Sequence, residues 1–234
     1  MMEISVDFGG KDFLRPYFMR EFPGRDAMAD DITPGRTAFF ISDTEIYECR
    51  PDEWADEDAP LRTGSPLLET EKAFMDKAHE EGCRAFILRC APTVCTGMQG
   101  RARRLLNDIY RGLFFHLPGN EARLSVVHGT DVAAAAAFLA ASDAEGGIFN
   151  LTDGNHPSID DLAEALAYRL DNKRISTVST KPQQWFARLM YGGRRLDDYT
   201  VSALVSSAKI ESMGFEPHGV CSYLRNHVYD DASL

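Results

Sequence analysis

Thr37–Ser42 reads TAFFIS, Arg84–Arg89 reads RAFILR, and Ser65–Lys72, SPLLETEK, lies between them. Each hexapeptide is a short apolar run with an aromatic residue, the pattern of a buried strand. Pro66 suits a first helical turn, where its missing N–H costs nothing. Gly82 suits a stop, so a helix is predicted from about Pro66 to Glu81. Strand, helix, strand is a βαβ unit, whose two strands should run parallel. The acidic loop ECRPDEWADEDAPLRTG separates the first strand from the helix.

The alternation continues downstream. A helix is predicted from about Gln99 to Leu113, and LSVV (Leu124–Val127) reads as a strand. Thr130–Ser142 is a helix with Thr130 as N-cap and Asp131 in the first turn. GIFNL (Gly147–Leu151) is a strand. Ser158 and Asp161 resemble a capping box that opens IDDLAEALAYRL, with Ile159, Leu162, Leu166 and Leu170 on one face. RISTV (Arg174–Val178) is a further short strand, and the tail from Pro182 is mostly helical. Upstream, EISVDFGG suits a strand and KDFLRPYFMREF a helix.

Composition excludes several functions. The chain has 234 residues, 44% apolar and 26% charged, enough for one large domain or a domain with a small lobe. A net charge of −11 repels phosphate backbones, which argues against nucleic acid. No apolar run approaches the ~20 residues that span a membrane. MMEISVDFGGKDF lacks the basic and apolar segments of a secretory signal. Cys49, Cys83, Cys90, Cys95 and Cys221 fit neither a zinc site nor a disulfide framework, and reduced thiols suit the cytoplasm. His79, His116, His156, His218 and His227 have no metal-ligand spacing. There is no G-x-S-x-G elbow. The pairs Gly9-Gly10 and Gly192-Gly193 stand alone, so no glycine-rich turn for a pyrophosphate is present.

Six segments in order resemble the extended short-chain dehydrogenase/reductase superfamily, in its branch of NAD-dependent nucleotide-sugar epimerases and dehydratases. AFFISDTEIYE is similar to the serine-ended strand running into a V-Y-G turn. EDAPLRTGSPLLETEKAFMD is similar to the segment carrying Y-x-x-x-K. FILRCAPTVCTGM resembles L-R-P-x-x-V-Y-G-P, and SVVHGTDVAAA resembles V-H-V-D-D-V-A. GIFNLTDGNHPSIDDLAEALA and SSAKIESMGFEP match the stretches that follow. The resemblance implies an α/β fold: a truncated Rossmann-like parallel sheet flanked by helices over residues 1–170, with a smaller, mainly helical C-terminal lobe over 171–234 packed on it.

Two departures matter. In the family a tyrosine carries the proton, a lysine one turn later lowers its pKa and holds the cofactor ribose, and a serine or threonine binds the substrate oxygen. Here the lysine is Lys72, the tyrosine place is Leu68 and the serine place is Asp43. Loss of a positioned general acid–base costs ~10²–10⁴ in rate. Tyr47 falls in the V-Y-G turn, off the helix, and does not replace it. The second departure is at the front. The family places three strands and their helices ahead of its fourth strand, whereas only 36 residues precede Thr37 here, so EISVDFGG matches the fourth strand and becomes an open edge.

Lys72 is either a surviving functional lysine or a helix lysine paired with Glu69, Asp76 or Asp43. Arg101, Arg103, Arg104 and Arg123 face a nucleotide diphosphate by the resemblance, or else neutralise the acidic loop from a solvated helix face. His128 and Asp131 shape the wall of the substrate cleft by the same resemblance. Three functions stay open. The first is a degenerate relative without redox catalysis, acting in binding or assembly on a small sugar or nucleotide ligand. The second is an active epimerase, dehydratase or reductase with an NAD(P) site rebuilt or supplied by an intact relative. The third is a remnant that folds because its core survived. No cofactor is expected, NAD(P) being the one the fold would hold if it retains a site. A homodimer is expected, through the helix carrying Lys72 and the helix before it, or through the open edge.

Overall fold

The computed structural model describes residues 3–24, 28–48, 52–170, 174–177, 185, 189 and 197–226. Its central sheet contains β1 (Ile4–Asp7), β2 (Met28–Ala29), β3 (Thr37–Asp43), β4 (Ala85–Cys90) and β5 (Gly147–Leu151). The order is β2-β1-β3-β4-β5 and every pairing is parallel. The helices include α1 (Arg15–Glu21), α2 (Pro66–Glu80), α3 (Gly100–Tyr110), α4 (Gly129–Ala141) and α5 (Ile159–Arg169), and later the short helices Ala208–Glu211 and Val220–Asn226.

The alternation along β3 builds two layers. Phe39 and Ile41 enter one core with Phe86 and Leu88 of β4, Phe18 of α1 and Val132 of α4. Ala38 and Phe40 point to the opposite face, where Phe74 and Ala78 of α2 cover them. Strands buried on both faces read as continuous apolar runs, which explains TAFFIS and RAFILR. A further cluster joins α3 and α5 to Tyr199, Val220 and Leu224.

Several expectations are corrected. Glu3–Phe8 is an open edge only in part, because Met28 pairs with Ile4 and Ala29 with Ser5 after the chain returns from α1, while Val6 and Asp7 pair with no described strand on that side. The outermost strand on that side is the two-residue β2, short enough to offer little template for another chain, and β5 forms the opposite edge. Of LSVV only Val127 enters a strand, with His128, paired to Thr93–Val94; Leu124 makes a single bridge to Ala203. Helix α4 begins one residue before Thr130, and its N-cap is His128, whose Nδ1 accepts the Thr130 N–H at 3.2 Å. The capping box at Ser158 forms as expected, with Oγ accepting the Asp161 N–H at 3.0 Å. Arg174–Val178 contributes Ser176–Thr177, paired to Phe115–His116. Much of the tail from Pro182, and Cys49, lie outside the described residues.

Candidate functional site

Two clefts adjoin at the carboxyl ends of the strands, where parallel sheets bind ligands. The larger, about 380 Å³, is lined by Thr44, Glu45 and Tyr47 beyond β3, by Arg62, Arg101 and Arg104, by Asp197 and Asp198, and by Pro92, Leu124, Ser125 and residues 201–205. The smaller, about 210 Å³, is lined by Gly9, Lys11, Asp43, Thr93, Gln99 and Gly100 among others. Glu45, Pro92 and Arg101 border both. The smaller cleft depends on the turn after β1. Gly9 has φ +55°, and a Cβ there would lie 2.5 Å from the Ile41 carbonyl oxygen. Only glycine lets this turn close against β3.

The three positions of the implied proton machinery separate. Asp43 ends β3, accepts the Glu45 N–H at 2.9 Å and lies 3.6 Å from Lys11 Nζ. Its cation is thus Lys11, and the expected Asp43–Lys72 pair does not form. Leu68 packs in an apolar cluster with Ile46, Tyr47, Ala55 and Val205. Lys72 is exposed, and among the described residues it makes no ion pair with Glu69 or Asp76.

The inward residue of α2 is Glu71, since the buried face runs Glu71, Phe74, Ala78. Glu71 anchors a sealed polar chain that sequence reasoning missed. Arg89 Nε and Nη2 donate to its two carboxylate oxygens at 3.0 and 2.7 Å, and Ser42 Oγ donates to Oε1. Arg89 Nη1 donates to Tyr47 Oη at 3.1 Å, and that hydroxyl donates to Asn150 Oδ1 at 2.7 Å. Burial pushes the Tyr47 phenol up, against the pull of Arg89. Burial works to lower the Arg89 pKa, but the bonds from Glu71 and Tyr47 win and it rises. Tyr47 is therefore held neutral, the wrong state for a base. Burial likewise pushes Cys90 to about 12 and Cys221 to about 11, so neither thiol is a ready nucleophile.

Two of the arginines reach the segment that begins at Asp198. Arg101 donates to the carbonyls of Asp198 and Val201, and Arg104 pairs with the Asp198 carboxylate at 3.0 Å. Burial lowers the Arg101 pKa, partly offset by Asp198. Arg62 holds the Tyr47 carbonyl through Nε at 3.0 Å. Arg123 is exposed, donates to the His156 carbonyl at 3.1 Å and is not among the residues lining either cleft. His128 lies against the Tyr223 ring, and Asp131 accepts the His218 N–H at 2.9 Å; neither lines either cleft. Of the four expected substrate contacts, Arg101 alone borders both clefts. Among the described residues no group of His, Cys, Asp and Glu is placed to hold a metal ion, and no helix is long and apolar enough to cross a membrane.

No protein-family model matches the chain, and no curated protein does. Solved structures match it in fold. Human epimerase family protein SDR39U1 (isoform 2), solved with NADPH, is 12% identical at TM-score 0.54, covering 93% of this chain and 78% of its own. UDP-glucose 4-epimerase of Thermus thermophilus, complexed with NAD, is 22% identical at TM-score 0.54, over 81% of this chain and 61% of its own. dTDP-glucose 4,6-dehydratase of Bacillus anthracis, in complex with NAD, is 13% identical at TM-score 0.56, over 97% and 74%. The chain thus spans less than two thirds of the Thermus enzyme. Its fold is the Rossmann-like fold of the NAD-dependent epimerases and dehydratases.

Proposed function

We propose that this chain is a non-redox member of that fold class, which holds a small anionic sugar or nucleotide ligand in the arginine-lined cleft. The observation that carries the reading is Leu68. It stands where the resemblance implies a proton carrier, and it packs against Ile46, Tyr47, Ala55 and Val205. A side chain with no titratable proton supplies no acid–base step there.

The described residues also fit the nicotinamide end of a dinucleotide poorly. The lysine that the resemblance assigns to the ribose is exposed on α2, and Lys11 and Asp43 face each other across the smaller cleft. Recognition of an anion has better support. Arg62 and Arg104 line the larger cleft beside Glu45, Asp197 and Asp198, and guanidinium forks match phosphate and carboxylate oxygens, with Asp198 already holding Arg104. Assembly as a homodimer through the outer face of α2 belongs to the same proposal. The test is turnover. The protein is mixed with NAD or NADP and a panel of nucleotide sugars, and cofactor reduction and sugar products are followed. No turnover is expected, and epimerised or dehydrated product from the unmodified chain would overturn the proposal.

A further inference from the structure

Ser125, in the lining of the larger cleft, contacts a histidine just outside that lining, and the non-redox binding reading does not use the pair. Ser125 is buried, and its Oγ lies 2.8 Å from Nδ1 of His156. The same Oγ accepts the Val205 N–H at 2.8 Å and lies 3.3 Å from the Val205 carbonyl. With one lone pair occupied by Val205, the hydroxyl proton is free to point along the shorter contact, toward an unprotonated Nδ1.

His156 is held for this contact. Its φ is +45°, in the left-handed region that non-glycine residues seldom adopt. Asp153 fixes that conformation, because its Oδ1 accepts the N–H groups of Asn155 and His156, each at 3.1 Å. The Trp54 ring stands edge-on to the imidazole at 4.7 Å, and Arg123 binds the His156 carbonyl. Three charged groups act on the ring, Asp153 and Glu211 favouring its protonation and Arg123 opposing it, but burial is the largest influence and lowers its pKa. The neutral form, which accepts a proton, is thus favoured at neutral pH.

We propose that Ser125 is a nucleophile and His156 its general base, acting on carboxylic esters that carry an anionic group. As Oγ bonds to the acyl carbon, its proton passes to Nδ1. The ester C–O bond then breaks and the departing alkoxide takes that proton. Water repeats the sequence on the acyl-serine, releasing the carboxylic acid and restoring the serine. Arg62 and Arg104 in the same cleft would hold the anionic group.

The test is covalent labelling of the full chain with a fluorophosphonate probe, mapped by peptide mass spectrometry. Labelling needs no nucleotide sugar, so this proposal and the binding proposal fail separately. An adduct is expected on Ser125, formed about 10²-fold or more slowly in His156→Gln. Because Ser125 also ties down Val205, Ser125→Ala removes a structural bond. Ser125→Cys therefore serves as a second probe, its alkylation by iodoacetamide at position 125 compared with and without His156→Gln. No adduct at Ser125, or equal rates in both histidine backgrounds, would overturn the assignment.

Discussion

Arg89 Nη2 lies 2.7 Å from Glu71 Oε2, and the two side chains are 1% and 3% exposed. The pair joins β4 to α2, so it sets which face of α2 turns inward. With Glu71 inward, Lys72 is carried about 100° around the helix, toward solvent.

Breaking this pair should be costly and replacing it should not. Glu71→Ala leaves a buried guanidinium without its carboxylate, an expected loss of about 3–5 kcal/mol in urea denaturation. The double variant Glu71→Leu with Arg89→Met should lose less than Glu71→Ala alone. A double variant as damaged as the sum of its singles would contradict the coupling.

The βαβ core was legible because its signals are local. TAFFIS and RAFILR are strands buried on both faces, and Pro66 and Gly82 bracket α2. The polar chain was not, because each member looks like an interruption of an apolar run: Arg89 in AFILRC, Asn150 in GIFNL. One clue was available: Glu71 lies on the stripe that continues to Phe74 and Ala78. The pairing of Lys11 with Asp43 joins residues 32 apart, and no local periodicity encodes such a contact. The positions Leu68 and Lys72 were legible from motif order, but which way each faces depends on Glu71.

Lys72 and Asp43 should respond differently to substitution. Exposed Lys72→Ala is expected to change stability by no more than about 0.5 kcal/mol. Asp43→Ala also removes the bond to the Glu45 N–H and should cost about 1 kcal/mol. Chemical denaturation of both variants checks the contrast, which equal effects would refute.

Tyrosine at Leu68 should not create an oxidoreductase. Leu68→Tyr must fit a phenol into the cluster of Ile46, Tyr47, Ala55 and Val205, with Lys72 still outside. Assays with NAD or NADP and nucleotide sugars should show no turnover above the unmodified protein. Measurable turnover would mean that a cofactor site is present.

Acid should act through His156. Burial depresses its pKa below the ordinary 6.5, so below that pH the unfolded chain takes up the proton more readily. Its contribution to stability is present above about 6.5 and is lost as pH falls through the depressed value. His156→Gln should flatten stability against pH in that window, as read from melting temperature. An unchanged slope would remove His156 as the cause.

The most direct measurement is a thermal-shift titration of the pure protein with NAD, NADP, their reduced forms and a panel of nucleotides and nucleotide sugars. A ligand at ~100 times its dissociation constant adds about 2.7 kcal/mol, a shift of a few degrees for a domain of this size. A non-redox binding protein should shift with a nucleotide or nucleotide sugar and not with the dinucleotides. A shift with NAD or NADP would contradict that reading and restore the redox enzyme.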